Sequence, residues 1–577
     1  MFSTWQRWGD IIVDCGRELD TPKQLLAGKM LYRDVRYWYG PAAPYVNALL
    51  YRVLGVRVGV LVASGVATAA AISWLTYCIV RLLADRFAAA AAAVAVLYIN
   101  AFPQCYVANI FNFVLPYAYP ATYGTLATMA SVYFLLRHVL TGRPAPFLIS
   151  CSFLAIAALC KLEVLFAVGM THLLFVVMWV GISRRAALYH LWGYLAALTI
   201  PVAVYAWFFA HTGRALLTDN LLLSSNVTTG SFVMRHSGLA DPTAALGQMA
   251  WSAAGIGVCL ALIAFLAWAE SKWQSGRVPA ASTRFLSILA GVGAAALCGV
   301  ISFLLGPPRI FRALPLVLVV TAVIAAARVI TRRRHAAQEM VLLTLTVFAL
   351  ASGARILLRY GAEHYGFYLM LPGAVALAVI WCRALPTVAG RGAPTRSAGI
   401  CGAVTMLLVA MSHAQTTRKT AEIAYGPGEP PRVRTAQGTM VCRRDYVGSV
   451  DEAIRFMSTL PATTKVVVLP EGSAITFLAG LTNALGMHTF LPLDFSGSYD
   501  EPAIIARLAA ADPDYILFSP RSAEEYGKQG LGLDYGLQLM EWVQDHYILV
   551  KELRTRYNAV CILGKPVPTL PASAQGQ

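Results

Sequence analysis

The stretch VGVLVASGVATAAAISWLTYCIVRLL, residues 58–83, decides the fold class, because it contains a single charge, Arg81, near its end. An apolar run of about 18 or more residues is long enough to cross a hydrocarbon core about 30 Å thick. Similar runs recur as far as about residue 413, and only 13% of the 577 residues are charged. A large soluble helical core is disfavoured, since so many uncharged helices leave no polar face for water. The chain is therefore predicted to be a polytopic α-helical membrane protein.

Twelve membrane spans are predicted, and a soluble α/β domain follows them. The spans are 58–83, 87–101, 120–140, 146–161, 164–182, 188–210, 247–269, 285–305, 312–330, 339–358, 364–382 and 397–413. The predicted organisation is thus an outer-face segment over 1–57, a membrane core over 58–413 and a soluble domain over 414–577.

The distribution of lysine and arginine gives the orientation, since positive loops stay in the cytoplasm. One set of alternate loops holds sixteen of these residues and the other set holds seven. The second set, with segments 1–57, 102–118, 211–246 and 414–577, is then on the outer side. The predicted location is the inner membrane of a bacterium, with the soluble domain in the periplasm. An outer segment of 57 residues ahead of the first span suggests one more helix upstream of Met1, and direct translocation of a short tail is the alternative.

The net charge of +17 does not indicate nucleic acid, because the charges lie between apolar runs. The 11 cysteines show no metal-binding spacing. Cys442 and Cys561 flank the soluble domain and could form a disulfide in an oxidising compartment.

Residues 414–577 alternate between strand and helix patterns, which predicts a small, mostly parallel sheet. Helices are expected at 451–460, 473–485, 501–510 and 533–546, and strands at 465–469, 514–518, 547–553 and 560–563. No phosphate-binding glycine motif occurs there. The segments PEGSAITF (470–477), RSAEEYG (521–527) and LDYG (533–536) look organised, but no catalytic role is assigned to them.

The segment before the first span is rich in acidic and aromatic residues. It carries Asp10, Asp14, Glu18, Asp20 and Asp34, and four tyrosines and a tryptophan lie within 31–45. An aromatic belt at the membrane surface and a cleft for a sugar or lipid explain the aromatics equally well. A carboxylate beside a membrane site can act as general base towards a hydroxyl group, although a solvated charge or a helix cap is the simpler interpretation of any one of them.

At these residues the sequence resembles the GT-C class of integral-membrane glycosyltransferases. It is most similar to the family 39 group of dolichyl-phosphate-mannose-protein mannosyltransferases, which includes the lipid A aminoarabinose transferase and the Rgt-type bacterial enzymes. In VDCGRELDTPKQLLAG, Asp14 precedes Gly28 by 14 positions, as the catalytic Asp of that family precedes a Gly, and HYGFYLMLP at 364–372 resembles a later family segment. Position 15 is Cys where many relatives have a second acidic residue, and 102–118 contains none.

The resemblance implies transfer of a sugar from a polyprenyl-phosphate carrier to an acceptor at the outer face, with inversion. Asp14 is the predicted base and Asp34 the next candidate; no metal or other cofactor is expected. Positive side chains would hold the lipid phosphate as its charge develops. The predicted substrate-binding residues are Lys161, Arg309, Arg312, Arg355, Arg359, His364, Tyr365 and Tyr39.

Several of these residues could instead have a purely structural role. Lys161 could pair with Glu163, Arg355 and Arg359 could extend to the membrane surface, and His364 could be a structural hydrogen-bonding residue. Two other functions also remain open. A transporter or flippase of lipid-linked sugars would favour inverted repeats, of which the sequence shows none, and a non-catalytic scaffold would use the extra domain to recruit partners.

Reporter fusions test the predicted topology. Fusions after residues 112, 225 and 450 should report an outer location, and fusions after 185, 275 and 333 a cytoplasmic one. The reverse pattern would put Asp14 on the side away from an outer-face acceptor.

Overall fold

A computed structural model describes residues 7–103, 108–180, 184–220, 231–274, 280–306, 309–331, 336–390, 395–556 and 558–566. Its first half consists of helices. They are α1 (Cys15–Leu26), α2 (Ala42–Leu54), α3 (Val58–Arg81), α4 (Arg86–Val96), α5 (Tyr119–Thr141), α6 (Pro144–Ala158), α7 (Leu162–Val180), α8 (Arg184–Thr212), α9 (Ser231–Ser237) and α10 (Pro242–Gln274).

The helical part continues to residue 425. Its remaining helices are α11 (Ala280–Leu305), α12 (Leu314–Thr331), α13 (Ala336–Ser352), α14 (Gly366–Leu369), α15 (Leu371–Val379), α16 (Leu385–Ala389) and α17 (Arg396–Tyr425). Single π turns occur at Leu97–Ala101, Leu216–Asn220 and Ile380–Ala384, and a 3₁₀ turn occupies Ala354–Arg359.

The protein is a polytopic helical membrane protein. Seven helical stretches of the described chain are long and apolar enough to cross a bilayer, and four shorter apolar helices accompany them. The seven are Val58–Arg81, Leu188–Thr212, Phe232–Gln274, Arg284–Leu305, Leu314–Thr331, Gly366–Ala389 and Arg396–Tyr425. Each of the twelve predicted spans overlaps a helical stretch, but five of them, 87–101, 120–140, 146–161, 164–182 and 339–358, are not among these seven. Helix α17 continues through a polar stretch to Tyr425, well beyond the predicted end at 413.

The soluble C-terminal domain begins with a hairpin of β1 (Arg432–Thr435) and β2 (Gly438–Val441). After it come α18 (Val447–Ser458), β3 (Lys465–Leu469), α19 (Ser473–Leu478), β4 (Thr482–Asn483), α20 (Glu501–Ala511), β5 (Tyr515–Phe518), α21 (Leu537–His546), β6 (Ile548–Arg554) and β7 (Ala559–Gly564). Five strands form one sheet in the order β4-β3-β5-β7-β6.

Three details of the sequence prediction for this domain were wrong. The sheet is mixed, because β7 runs antiparallel to both β5 and β6. Helix α19 ends at Leu478, since Gly480 adopts a positive φ and turns the chain into β4. Helix α21 starts four residues late, at Leu537, after Gly536 in the left-handed conformation. The cysteines Cys442 and Cys561 are both free thiols.

The soluble domain lies directly on α1 and on the loop between α1 and α2. Arg36 donates to the carbonyl of Asp494 at 2.8 Å, and its guanidinium lies 3.5 Å from the Asp494 carboxylate. Lys23 donates to the carbonyl of Leu481 at 2.6 Å. Both Arg36 and Asp494 are buried, so this contact is dry and holds the domain in one position.

Gly16 marks the closest approach between α1 and the soluble domain. A Cβ added at Gly16 would lie 2.3 Å from the Ala474 nitrogen and 2.7 Å from the Ser473 carbonyl carbon. These obstacles are backbone atoms of α19, which cannot rotate away as a side chain can. Only glycine therefore allows the two helices to meet.

Replacing Gly16 with valine should separate the soluble domain from α1. Overpacking typically costs about 1–3 kcal/mol, so the thermal unfolding midpoint in detergent should fall. Gly59→Val is the matched control, since nothing lies within 4 Å of an added Cβ there. Equal midpoints for the two variants would contradict the assigned contact.

Candidate active site

Asp14 occupies the position just before α1 and has an unusual backbone. Its φ is 56°, in the left-handed region, although it is not a glycine. Its carboxylate is ion-paired with Arg17 at 3.0 Å, and 26% of its side chain is exposed. Unlike most residues in this position, it makes no side-chain hydrogen bond to the first turn of the helix. The carboxylate therefore faces the Arg17 guanidinium rather than the amides of the first turn.

Asp14 lines a cavity of about 400 Å³, which we call the Asp14 cavity. Four segments of the helical part and the soluble domain enclose it. The four segments contribute Asp10, Ile12, Val13, Asp14, Arg17, Trp38, Tyr39, Ala108, Ile110, Phe111, Tyr117, Phe232, His236, His364 and Tyr365. The soluble domain contributes Arg443, Tyr446, Thr489, Leu491, Leu493, Pro520, Arg521, Glu525 and Tyr526.

The cavity combines aromatic faces with charged edges. Phe232 stacks on Tyr526 of the soluble domain with ring centroids 5.1 Å apart, and His236 stacks on His364 at 3.6 Å. Polar groups with ring faces between them suit a ligand that has both hydroxyl groups and apolar C–H surfaces. A sugar has this combination.

The residues behind Asp14 hold its helix in place. The buried Glu18 carboxylate accepts hydrogen bonds from the Tyr119 amide at 2.8 Å and the Tyr37 hydroxyl at 3.2 Å. Arg17 donates to the Tyr117 carbonyl at 2.6 Å. Burial raises the pKa of Glu18, and Arg17 opposes this shift. These contacts tie the start of α1 to the 108–118 loop.

Asp10 also borders the cavity, but its carboxylate is used locally. It accepts from the amides of Ile12 at 2.8 Å and Val13 at 3.1 Å. Burial raises its pKa, and these two backbone hydrogen bonds lower it. Asp10 thus shapes the turn that leads to Asp14.

Asp34 lies outside the Asp14 cavity. Its carboxylate pairs with Arg33 at 2.7 Å and accepts from the Met30 amide at 2.7 Å. The hydrogen bond from Arg33 is the main reason that the pKa of Asp34 is lowered. The structure therefore does not bring the second predicted catalytic residue to the site, because its neighbouring arginine holds it in a surface turn.

Lys161 lies behind the cavity and has no donor left for a phosphate. Its amine contacts the Tyr117 hydroxyl at 2.5 Å, the Tyr368 hydroxyl at 3.0 Å and the Glu163 carboxylate at 2.9 Å. A lysine has three N–H donors, and these contacts use all three. Arg355 pairs with the other Glu163 oxygen and lies over the ring of Tyr365 at 4.2 Å. The pairing with Glu163 that the sequence left open is the arrangement found for Lys161.

Arg309, Arg312 and Arg359 line a second cavity of about 630 Å³, which we call the arginine cavity. Arg235 joins them there, with Asp241 and Glu363 as its acidic residues. Arg312 pairs with Glu363 through one nitrogen. Its Nε and Nη1 atoms are buried without a hydrogen-bond partner in the described chain. An arginine with unsatisfied buried donors is suited to binding an anion.

The two cavities share a wall. His236 and His364 line the Asp14 cavity, while their chain neighbours Arg235 and Glu363 line the arginine cavity. Of the predicted residues, Tyr39, His364 and Tyr365 thus lie with Asp14, and the three arginines lie across this wall. Among the described residues, no group of three or more His, Cys, Asp or Glu side chains is arranged to hold a metal ion.

Two residues at the site had no role in the sequence prediction. Glu471 and Arg521, from the soluble domain, form a buried ion pair next to Asp14. Both lie in segments that looked organised in the sequence, PEGSAITF and RSAEEYG. The composition of these two segments was the signal available in the sequence. Nothing in the sequence connects them with Asp14, which is more than 450 positions away.

No family model matches this chain, and no curated protein is significantly similar to it. Among solved structures, ArnT from Cupriavidus metallidurans bound to undecaprenyl phosphate is 13% identical, with a TM-score of 0.44 over 97% of this chain and 96% of that one. Its apo state is 14% identical, with a TM-score of 0.43 over the same shares. The Archaeoglobus fulgidus oligosaccharyltransferase in complex with Zn and sulfate gives 14% and 0.43, over 88% of this chain and 63% of that one.

At TM-scores below 0.5 these similarities decide neither a family nor an activity.

Proposed function

We propose that this protein is an inverting glycosyltransferase of a bacterial inner membrane. Its donor would be a sugar linked to polyprenyl phosphate, and its acceptor a hydroxyl group at the outer face. The observation that carries the proposal is the partly exposed Asp14 side chain, which lines a cavity with aromatic faces and charged edges. Such a cavity suits a sugar, and such a carboxylate suits a general base.

The proposed reaction is a single displacement. The acceptor oxygen attacks the anomeric carbon from the side opposite the phosphate, and Asp14 takes the hydroxyl proton. The bond between the anomeric carbon and the phosphate oxygen breaks, and its electron pair stays on the phosphate. Polyprenyl phosphate leaves without protonation by an acid, because a phosphate is already a good leaving group.

The negative charge of the leaving phosphate requires positive partners. The arginine cavity supports this role, since Arg312 is buried and keeps two unsatisfied nitrogens, while all three donors of Lys161 are in use. The anomeric carbon is bonded directly to the phosphate oxygen. We therefore propose that the sugar binds at the wall formed by His236 and His364, with its phosphate on the arginine side.

Asp14→Asn tests the base. It preserves the shape of the side chain but removes its ability to take a proton. Turnover should fall by about 10²-fold or more, measured as transfer of labelled sugar from a polyprenyl-phosphate donor by purified protein. Asp34→Asn is the control, because its carboxylate lies outside the cavity. Near-normal transfer by Asp14→Asn would remove Asp14 from the mechanism.

Arg312→Gln tests the phosphate site. A hydrogen bond to a charged group contributes about 1.5–3 kcal/mol, so the KM for the donor should rise by about 10- to 100-fold. Arg328→Gln is the matched control, since Arg328 pairs with Glu339 at 3.3 Å elsewhere in the helical core. If both variants keep the wild-type KM, the phosphate does not bind in the arginine cavity.

A further inference from the structure

Asp14 needs an outside contact to keep its backbone conformation. A non-glycine residue with a positive φ is strained and persists only where its surroundings fix it. Arg17, its ion-pair partner, is on the same helix, three residues on. That ion pair orients the carboxylate but does not fix the backbone ahead of α1.

The contact that fixes this backbone comes from the soluble domain. The Asp14 amide donates to Glu471 Oε1 at 2.6 Å. Glu471 follows directly on cis-Pro470 and pairs in a single β-bridge with Thr489, and only 3% of its side chain is exposed. Its second oxygen is ion-paired with Arg521, which in turn contacts Glu525 at 2.5 Å. One rigid carboxylate thus connects Asp14 to the rest of the soluble domain.

We infer that Glu471 is a positioning residue for Asp14, so that the soluble domain completes the active site. The inference rests on the proposed function and adds to it a residue from outside the helical core. Glu471 acts through the Asp14 backbone and does not itself line the cavity.

The protonation state of Glu471 is expected to decide how firmly the Asp14 backbone is held. Burial raises the pKa of Glu471 to about 7, and the Asp14 charge adds to this shift while Arg521 and Arg17 oppose it. Two other charged groups lie nearby. Glu525 pairs with Arg521, and the charge of Arg521 also lowers the pKa of Asp10. Ionised Glu471 accepts from Asp14 and Arg521 together. Once protonated, it loses the charge that holds Arg521, and the support of Asp14 weakens.

Turnover should therefore increase as the pH rises. Above about pH 7 Glu471 is ionised and Asp14 is held, so turnover is high. Below it the ionised fraction falls, to about one tenth at one pH unit under the pKa. We expect turnover to drop about tenfold between pH 8 and pH 6.

The test measures kcat and donor KM from pH 5.5 to 9 for wild type, Glu471→Gln and Glu471→Asp. The glutamine should lower kcat at pH 8 by about tenfold, leave the donor KM within twofold and abolish the pH step near 7. The aspartate keeps an ionisable group and should retain the step. Asp494→Asn is the matched control, because Asp494 is also a buried carboxylate of this domain but pairs with Arg36. It should keep the step near 7.

Arg521→Gln provides a second measurement if Glu471→Gln does not fold. Loss of the arginine charge removes a field that lowers the pKa of Glu471, so the step should move to higher pH. A step that stays in place in this variant, or one that survives in Glu471→Gln, would overturn the positioning role. Wild type without transfer at any pH would count against the proposed function instead.

Discussion

The structure around the site depends on the contact between residues 14–16 and 471–474. There an amide hydrogen bond and a glycine bring α1 against α19 without an intervening side chain. The Asp14 cavity exists because of this contact, since its outer wall belongs to the soluble domain and its inner wall to the segments around the membrane helices. A shift of the domain by the width of one methyl group would open the cavity. It would also break the hydrogen bond that holds the Asp14 backbone.

The buried charges on this side of the protein fall into two kinds. Lys161 has all three of its donors in contact with Glu163 and two tyrosines. Removing Glu163 would leave Lys161 and Arg355 with uncompensated charges. Arg312 has one partner and two unsatisfied nitrogens. A cationic side chain can bind a ligand when some of its nitrogens have no hydrogen-bond partner in the protein. Its charge alone does not distinguish it from a structural cation.

The sequence was sufficient for the helical core, because a bilayer imposes a length and an apolar composition that each helix must meet on its own. The family resemblance directed attention to Asp14, which lines one cavity together with Tyr39. The sequence misjudged the sheet direction in the soluble domain, since β7 returns antiparallel beside β5 after a chain reversal that strand patterns do not encode. It could not separate Lys161 from Arg312, because both are isolated cations among apolar residues until their partners are known.

Glu471 and Arg521 were beyond sequence reasoning for a related reason. Their short segments carry no motif, and their importance arises only from the partner across the domain contact. Asp34 was the next candidate for the base after Asp14. Its carboxylate pairs with Arg33, one residue away, in a surface turn.

The long separation between Asp14 and Glu471 has a consequence for biosynthesis. Asp14 leaves the ribosome before Glu471, which follows 457 residues later. At about 5–20 residues per second, this corresponds to a delay of roughly 20–90 s. During that time the membrane helices are inserted while the Asp14 backbone lacks its support. A nascent or truncated chain would therefore reach the membrane without a finished site, and activity would begin only with a protein whose last domain has been made and folded.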